Sequence, residues 1–460
     1  VVQQHAFETS TDIDWVYFEA VEGHEYLIEA QVPTDSSADV SMYVYDGCNT
    51  TPETGKDPSF SPTIRTFFTV PQSGRIYLEL RNEASGFTTA QAYWLSVRDL
   101  SAQASARSAV IIVAGKYKEN DPLQENIYNV TDALLNMFLD WGYTGDDIYY
   151  IAPDNRPGVD APATVANLRA AITQWAKSRV GPNRALTLFM MDHGKRDVLY
   201  LDRPRGQIVR PQDLDAWLSE LETARAGAPI NVIYEACHSG SFIQKPNSIS
   251  APGRVIVTST SANRLAFASA DGATFSDSLI FQLSRGGSLF NSFQEAGWNA
   301  SSSSLFRQQP WLDDDGDGVP NEPEDGLQAA RRGLAVAGSF GAEDEKWAPY
   351  IAQTTGPSGI DNGSGVIRTE VRDDKGVKRV WAVVHPPSYQ SPTESEELVK
   401  EVLPTIVLQD QGKDQFAATY SGFDELGTYR VVVYARTTMV SRRVRQPSKS
   451  AQAHRYSCPL

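Results

Sequence analysis

The sequence predicts a central α/β domain, with a mostly parallel sheet and helices on both faces, flanked by two all-β sandwich domains. Three observations lead there. Between about residues 109 and 260, short apolar runs alternate with segments of helical periodicity. The first hundred residues and those beyond 366 read instead as short strands separated by turns. Two small-residue stretches, 101–108 and 353–365, separate these regimes. At 460 residues the chain is long enough for roughly three domains, at about 150 residues each.

Lys plus Arg number 41 against 57 Asp plus Glu, a formal charge of −16. That balance argues against a nucleic-acid or anionic-membrane surface, which needs clustered positive charge, and is compatible with bound cations. No run of 18 apolar residues exists, so no membrane span is expected. Val1-Val2-Gln3-Gln4 shows no basic region leading into an apolar stretch, so a secreted or extracytoplasmic protein would have had its signal peptide removed. Only Cys48, Cys237 and Cys458 are present, which is neither a disulfide scaffold nor a zinc pattern. The odd count raises the question of a thiol kept free for chemistry. Cys48 and Cys458 could pair only if the two ends of the chain meet.

Residues 1–100 contain alternating, aromatic-rich segments such as Asp14–Phe18, Tyr26–Ala30, Ser41–Tyr45 and Ile76–Leu80, with Ser73-Gly74 as a turn. Period two with β-branched and aromatic residues predicts a sandwich, and its tryptophans, like Trp381 later, are expected in packing rather than in carbohydrate binding. The Ala/Ser-rich 101–108 (SAQASARS) reads as a linker.

The second domain is expected over 108–352. Ala109–Ala114 is apolar throughout, the pattern of a strand buried on both faces. A helix follows over 126–141, with Ile127, Val130, Leu134, Phe138 and Trp141 three or four apart and Gly142 at its end. Strands are expected at 147–151, 185–191, 230–234 and 254–259, and helices at 165–177 and 214–221. Such alternation makes βαβ units. After the Gly/Ser/Pro-rich 353–365, strands return at 366–371, 380–384, 402–408, 416–420 and 429–435, an Ig-like sandwich over 366–445. Residues 446–460 read as a polar tail.

The chemistry sits at two strand ends. Ala185–Met191 runs into Asp192-His193-Gly194, and Ile230–Tyr234 into Glu235-Ala236-Cys237-His238-Ser239-Gly240-Ser241. In an open parallel sheet, ligands bind where the carboxyl ends of the strands open into a crevice. His193 and Cys237 are therefore expected side by side. A thiol of pKa about 8.5 is mostly protonated at neutral pH. A nearby imidazole can take that proton and later return one to a departing amine. Gly194 and Ser239-Gly240 leave room for a substrate backbone and for N–H groups facing an oxyanion. His238 adjoins the thiol and competes with His193 for the part of base, while a lone Cys after an apolar strand is more often mere packing.

Asp-His-Gly after one apolar strand and Glu-Ala-Cys-x-Ser-Gly-Ser after the next resemble the legumain family of cysteine peptidases, family C13, over about residues 108–350. The resemblance implies the caspase-hemoglobinase fold and a His/Cys dyad. Cys237 would be the nucleophile and His193 the acid/base, with Gly194 N–H and Cys237 N–H as oxyanion hole. It also implies a protein or peptide substrate. Legumains carry an Arg-His pair that helps select asparagine, whereas the comparable stretch here is Asn126-Ile127-Tyr128-Asn129. Glu235 is kept, but the Ser and Asp completing that pocket fall near Ala268 and Ala273. Substrate-binding candidates are therefore Glu235, Ser261 and Asp271. The order Asp12–Phe18, Glu22-Gly23, then Ser73–Leu78 is similar to bacterial pre-peptidase domains, small sandwiches attached to secreted hydrolases.

A second motif runs over 313–324, DDDGDGVPNEPE. Against a twelve-position EF-hand loop, Asp313, Asp315 and Asp317 take the first, third and fifth positions, and Gly318 the sharp turn. Val319 offers its carbonyl, Asn321 the ninth position and Glu324 the twelfth. This predicts a structural calcium and no organic cofactor. The whole reads as a cysteine endopeptidase working through an acyl-thioester. A transpeptidase using the same dyad and a catalytically silent binding scaffold are the alternatives.

Overall fold

The computed structural model describes residues 2–437 except 10–11, 33–35, 37, 48–51, 53, 57–62, 85–90, 102–106, 270–271, 304–306, 323, 336–349, 358, 373–376, 391–396 and 400–402. Asp271, Cys48, Cys458 and the expected tail lie outside the described residues.

The central domain is built on a seven-stranded sheet. Its strands are β1 (Ala109–Ala114), β2 (Ile148–Ala152), β3 (Ala161–Pro162), β4 (Leu186–Met191), β5 (Ile230–Glu235), β6 (Arg254–Thr258) and β7 (Trp311–Asp313). They lie in the order β3-β2-β1-β4-β5-β6-β7, parallel throughout except for β7, which pairs antiparallel to β6. The continuous apolar runs have the expected cause, since both sheet faces are covered. Val110, Ile112, Phe189 and Ile233 point into one core with Ile127, Leu134 and Phe138 of helix α1 (Gln124–Asp140). Ile111, Val113, Leu188 and Val232 point into the other, with Leu214, Trp217 and Leu221 of the helix Pro211–Ala224. Residues one apart on a strand thus serve opposite layers. Removing a large buried ring such as Phe138 from such a core costs about 3–5 kcal/mol.

Most expected boundaries hold to within a few residues, and Gly142 closes α1 with φ +76°. The helix expected over 165–177 is α-helical only over Val165–Ala170, then loosens into a π turn at Ala171–Trp175 and a tight turn at Ala176–Ser178. Thr164 caps it by accepting the N–H of Asn167.

The first domain has two four-stranded antiparallel sheets enclosing Leu78, Leu80, Ile28, Val44 and Tyr93. It packs on the central domain through Arg65, which donates to Gln282 while paired with buried Glu29, and through Trp94, edge-on to Phe290. The last domain is all-β, as expected. Among the described residues its six strands, however, join in one continuous antiparallel sheet whose edge strands, Tyr350–Thr355 and Arg430–Thr437, approach each other. The boundary also needs correcting. Tyr350–Thr355 pairs with Gly365–Arg372, and Asp361 and Ser364 close a turn between them, so the described part of 353–365 lies inside this domain and is not an interdomain linker. Gly, Ser and Pro mark a tight turn as readily as a linker.

Candidate active site

Strands β4 and β5 run side by side, pairing Met191 with Glu235, so Asp192-His193-Gly194 and Ala236-Cys237 leave the sheet at the same edge. Gly194 fits there because it has no side chain. A Cβ would lie 2.5 Å from the Cys237 carbonyl oxygen and 2.7 Å from the Ala236 Cβ.

His193 and Cys237 are both 0% exposed. What covers them is the chain's own segment Glu397-Leu398-Val399, from between strands Val377–His385 and Thr405–Gly412 of the last domain. The Cys237 thiol donates to the Glu397 carbonyl oxygen at 3.1 Å, and the Leu398 N–H donates to His193 Nδ1 at 2.7 Å. Sulfur and imidazole therefore converge on the two sides of one peptide unit. Since Nδ1 accepts, the ring proton belongs on Nε2. Nε2 lies 2.8 Å from Asp121 Oδ2, a close contact out of line for a straight hydrogen bond, with both side chains shielded from solvent. Burial acts to raise the Asp121 carboxyl, but His193 and the Leu123 N–H outweigh it and leave the pKa lowered. Tyr117 packs its ring 5.1 Å from that of His193.

Burial pushes the Cys237 thiol up to about 12; the Ala266 N–H opposes this, at 3.3 Å from Sγ, and the Glu235 and Glu397 charges add to it. The sulfur is thus a thiol, not a thiolate, while 397–399 lies over it. His238, the neighbouring candidate base, turns away. Its backbone is left-handed at φ +60°, and its ring Nδ1 faces the Ala262 carbonyl at 3.1 Å.

Glu235 is buried, and its Oε2 accepts from the Ser276 N–H and hydroxyl at 3.1 and 2.7 Å. It therefore ties the end of β5 to the first turn of the helix Thr274–Ser284. Burial pushes its carboxyl up to about 7, against the bonds from Ser259 and Ser276. Ser261 sits in a turn packed on Gly240. The contacts with the covering segment are made farther along, by Ala266 and Ala268. Asp121 and the Glu397–Val399 segment are missed by sequence reasoning. An acid in the loop leaving β1, at the sheet edge that carries His193, was the one available signal.

In the acidic loop, carboxylate oxygens of Asp313, Asp315 and Asp317 lie within 4.8 Å of one another. Asp313 is buried and accepts the Gly316 and Gly318 N–H groups; burial, then the Asp315 charge, raises its pKa. Gly316 has φ +87°, and a Cβ there would lie 2.3 Å from the Ala251 carbonyl carbon. Hard oxygens gathered this way suit a cation such as calcium. The Asn321 carboxamide is committed elsewhere, accepting from Leu312 N–H and donating to the Pro310 carbonyl. Glu324 is exposed. Asp314 caps the following helix by accepting the Gln328 and Ala329 N–H groups, which anchors the loop to the core.

Residues 170–283, which include both His193 and Cys237, match the Peptidase C13 family. The chain is 28% identical over 168 residues to Metacaspase-1B of Aspergillus fumigatus, covering 33% of this chain and 40% of that protein. It is 27% identical over 162 residues to Metacaspase-1B of Aspergillus niger, covering 32% and 36%. The match thus spans well under half the length of these relatives. Among solved structures, the pre-peptidase C-terminal domain of a Bacillus anthracis collagenase aligns at 13% identity and TM-score 0.18, over 21% of this chain and 88% of that one. A Geobacter sulfurreducens protein aligns at 13% identity and TM-score 0.34, over 50% and 98%. Neither structural likeness bears on activity. The sequence similarities support a cysteine peptidase of the C13 or caspase-like kind, carried by the central domain.

Proposed function

We propose that the protein is a secreted, legumain-like cysteine endopeptidase acting through Cys237 and His193. The observation carrying this reading is the placement of Cys237 Sγ and His193 Nδ1 on the carbonyl and N–H sides of a single peptide unit. In a substrate held likewise, Nδ1 takes the thiol proton as sulfur bonds to the carbonyl carbon. The C–N bond then breaks, Nδ1 returns that proton to the departing nitrogen, and an acyl-thioester remains. Water, activated by the same imidazole, releases the acid and restores the thiol. Asp121 orients the ring and favours the imidazolium formed midway, while the Gly194 and Cys237 N–H groups receive the oxyanion.

Calcium belongs to the same proposal, held by the side chains of Asp313, Asp315 and Asp317 and the Val319 carbonyl. Glu324 would complete the set, with water standing between the ion and Asn321. The ion would relieve repulsion among the three carboxylates and brace the edge strand β7.

Labelling with a thiol-directed peptidyl electrophile, combined with peptide hydrolysis, tests the dyad. Cys237→Ala is expected to abolish both, and His193→Ala to lower hydrolysis by about 10²–10⁴-fold. Turnover that survives Cys237→Ala would rule the reading out.

A further inference from the structure

Glu397-Leu398-Val399 makes the contacts of a bound peptide. Besides the bonds to Cys237 and His193, the Val399 N–H donates to the Ala266 carbonyl at 2.8 Å, and the Ala268 N–H donates to the Val399 carbonyl at 2.9 Å. This is short strand pairing of the kind by which a protein holds an extended peptide along its main chain. Leu398 and Val399 are only 3% and 6% exposed, packed in the core that also contains Cys237, Leu265 and Phe267. Such main-chain bonds accept most sequences, so selection falls to the side chains. Here the Glu397 carboxylate meets Lys118 Nζ, with both oxygens at 2.7 Å. Lys118 lies in the loop leaving β1, next to Tyr117, which packs on His193 and lies under the Arg203 guanidinium at 4.2 Å. Cationic side chains thus gather at this mouth of a strongly acidic protein.

We propose that the crevice selects peptides placing a carboxylate against Lys118 just before two apolar residues, and that Glu397-Leu398-Val399 is its built-in occupant, shutting the site in cis. The proposal rests on the peptidase reading for its location but not for its test. With the occupant seated, the thiol stays protonated and iodoacetamide cannot reach it. Departure of the segment would open the sulfur to water and remove both the Glu397 charge and the contact made by its carbonyl.

The experiment follows alkylation of Cys237 by iodoacetamide in the full chain, read by mass spectrometry of the peptide containing it. Reversing one charge, in Glu397→Lys or in Lys118→Glu, should speed alkylation at least tenfold. Combining both restores the pair in swapped form and should return the rate to within about threefold of wild type. A substitution that merely damages the fold would not be rescued in this way. A synthetic peptide spanning residues 394–402 should slow alkylation of the Glu397→Lys protein, whereas the same peptide carrying Glu397→Lys should not. For the Lys118→Glu protein the order of the two peptides should reverse. Equal alkylation rates in all four proteins, or equal protection by both peptides, would overturn the proposal and leave the peptidase reading intact. Selective protection by a peptide that is never cleaved would do the opposite, retaining the acidic selection and removing the peptidase.

Discussion

Asp121 holds His193 from behind, its Oδ2 2.8 Å from Nε2, while the opposite ring nitrogen faces a peptide N–H. The contact matters through charge, since the imidazole becomes a cation each time it carries the thiol proton. Asp121→Asn removes the negative charge at nearly constant shape. We expect kcat to fall by roughly 10²-fold with KM changed little, because the effect concerns a charge present only after proton transfer. Because His193 and the Leu123 N–H outweigh burial and hold the wild-type Asp121 carboxyl below its ordinary value, the wild-type advantage in kcat/KM should be complete at neutral pH and shrink only as acid protonates that carboxyl. An unchanged profile with altered KM would assign Asp121 to packing.

Gly194 and the Cys237 carbonyl approach too closely for any side chain between them. Gly194→Ala must push the strand ends apart, because the atom met at 2.5 Å is backbone and cannot swing away. Overpacking of this kind costs about 1–3 kcal/mol. A denaturant midpoint lowered to match, together with loss of hydrolysis, is the expected result. Wild-type stability in the variant would mean that the two loops can part to admit a methyl group without cost.

Glu235 makes stability depend on pH. Its carboxyl is pushed up to about 7 by burial, while the unfolded chain titrates near about 4.3. A folded pKa above the unfolded one gives a contribution that is full below the lower value and is lost as pH rises through the upper one. Glu235→Gln keeps an oxygen to accept from Ser276 and stays neutral at every pH. Relative to the variant, the wild type should therefore lose up to about 3 kcal/mol between pH 4 and 8, a window set by those two values. Urea unfolding at both ends of that range measures the difference, and parallel curves for the two proteins would exclude it.

The parallel sheet and the convergence of His193 and Cys237 on one peptide were legible because local pattern encodes them. Strands such as Ala109–Ala114, buried on both faces, show as unbroken apolar runs, and parallel pairing then fixes which ends open together. His193 and Cys237 follow from that geometry. Asp121 does not, since no periodicity marks one acid of a loop as the partner of a histidine 72 positions later. Lys118 and Glu397 are 279 positions apart and belong to different domains, so their meeting depends on how the domains dock. The misplaced linker at 353–365 has another cause, because one composition serves both a hairpin and a tether.

The acidic loop should respond to its cation independently of catalysis. Asp313, Asp315 and Asp317 crowd one turn, and Asp325 beside them is raised to about 6 by burial, with the Asp313 and Asp314 charges adding to it. A divalent ion would offset that repulsion only in the folded loop. At a hundredfold excess over its Kd it adds about 2.7 kcal/mol, on the order of 5–10 °C in Tm for a domain of this size. Calcium should therefore raise the thermal midpoint and a chelator reverse the rise. Asp315→Asn, at an exposed position whose loss leaves the core untouched, should weaken calcium binding by calorimetry while barely changing the midpoint in chelator. A midpoint indifferent to calcium, with no heat of binding in the wild type, would leave the loop as a turn held by its own N–H bonds.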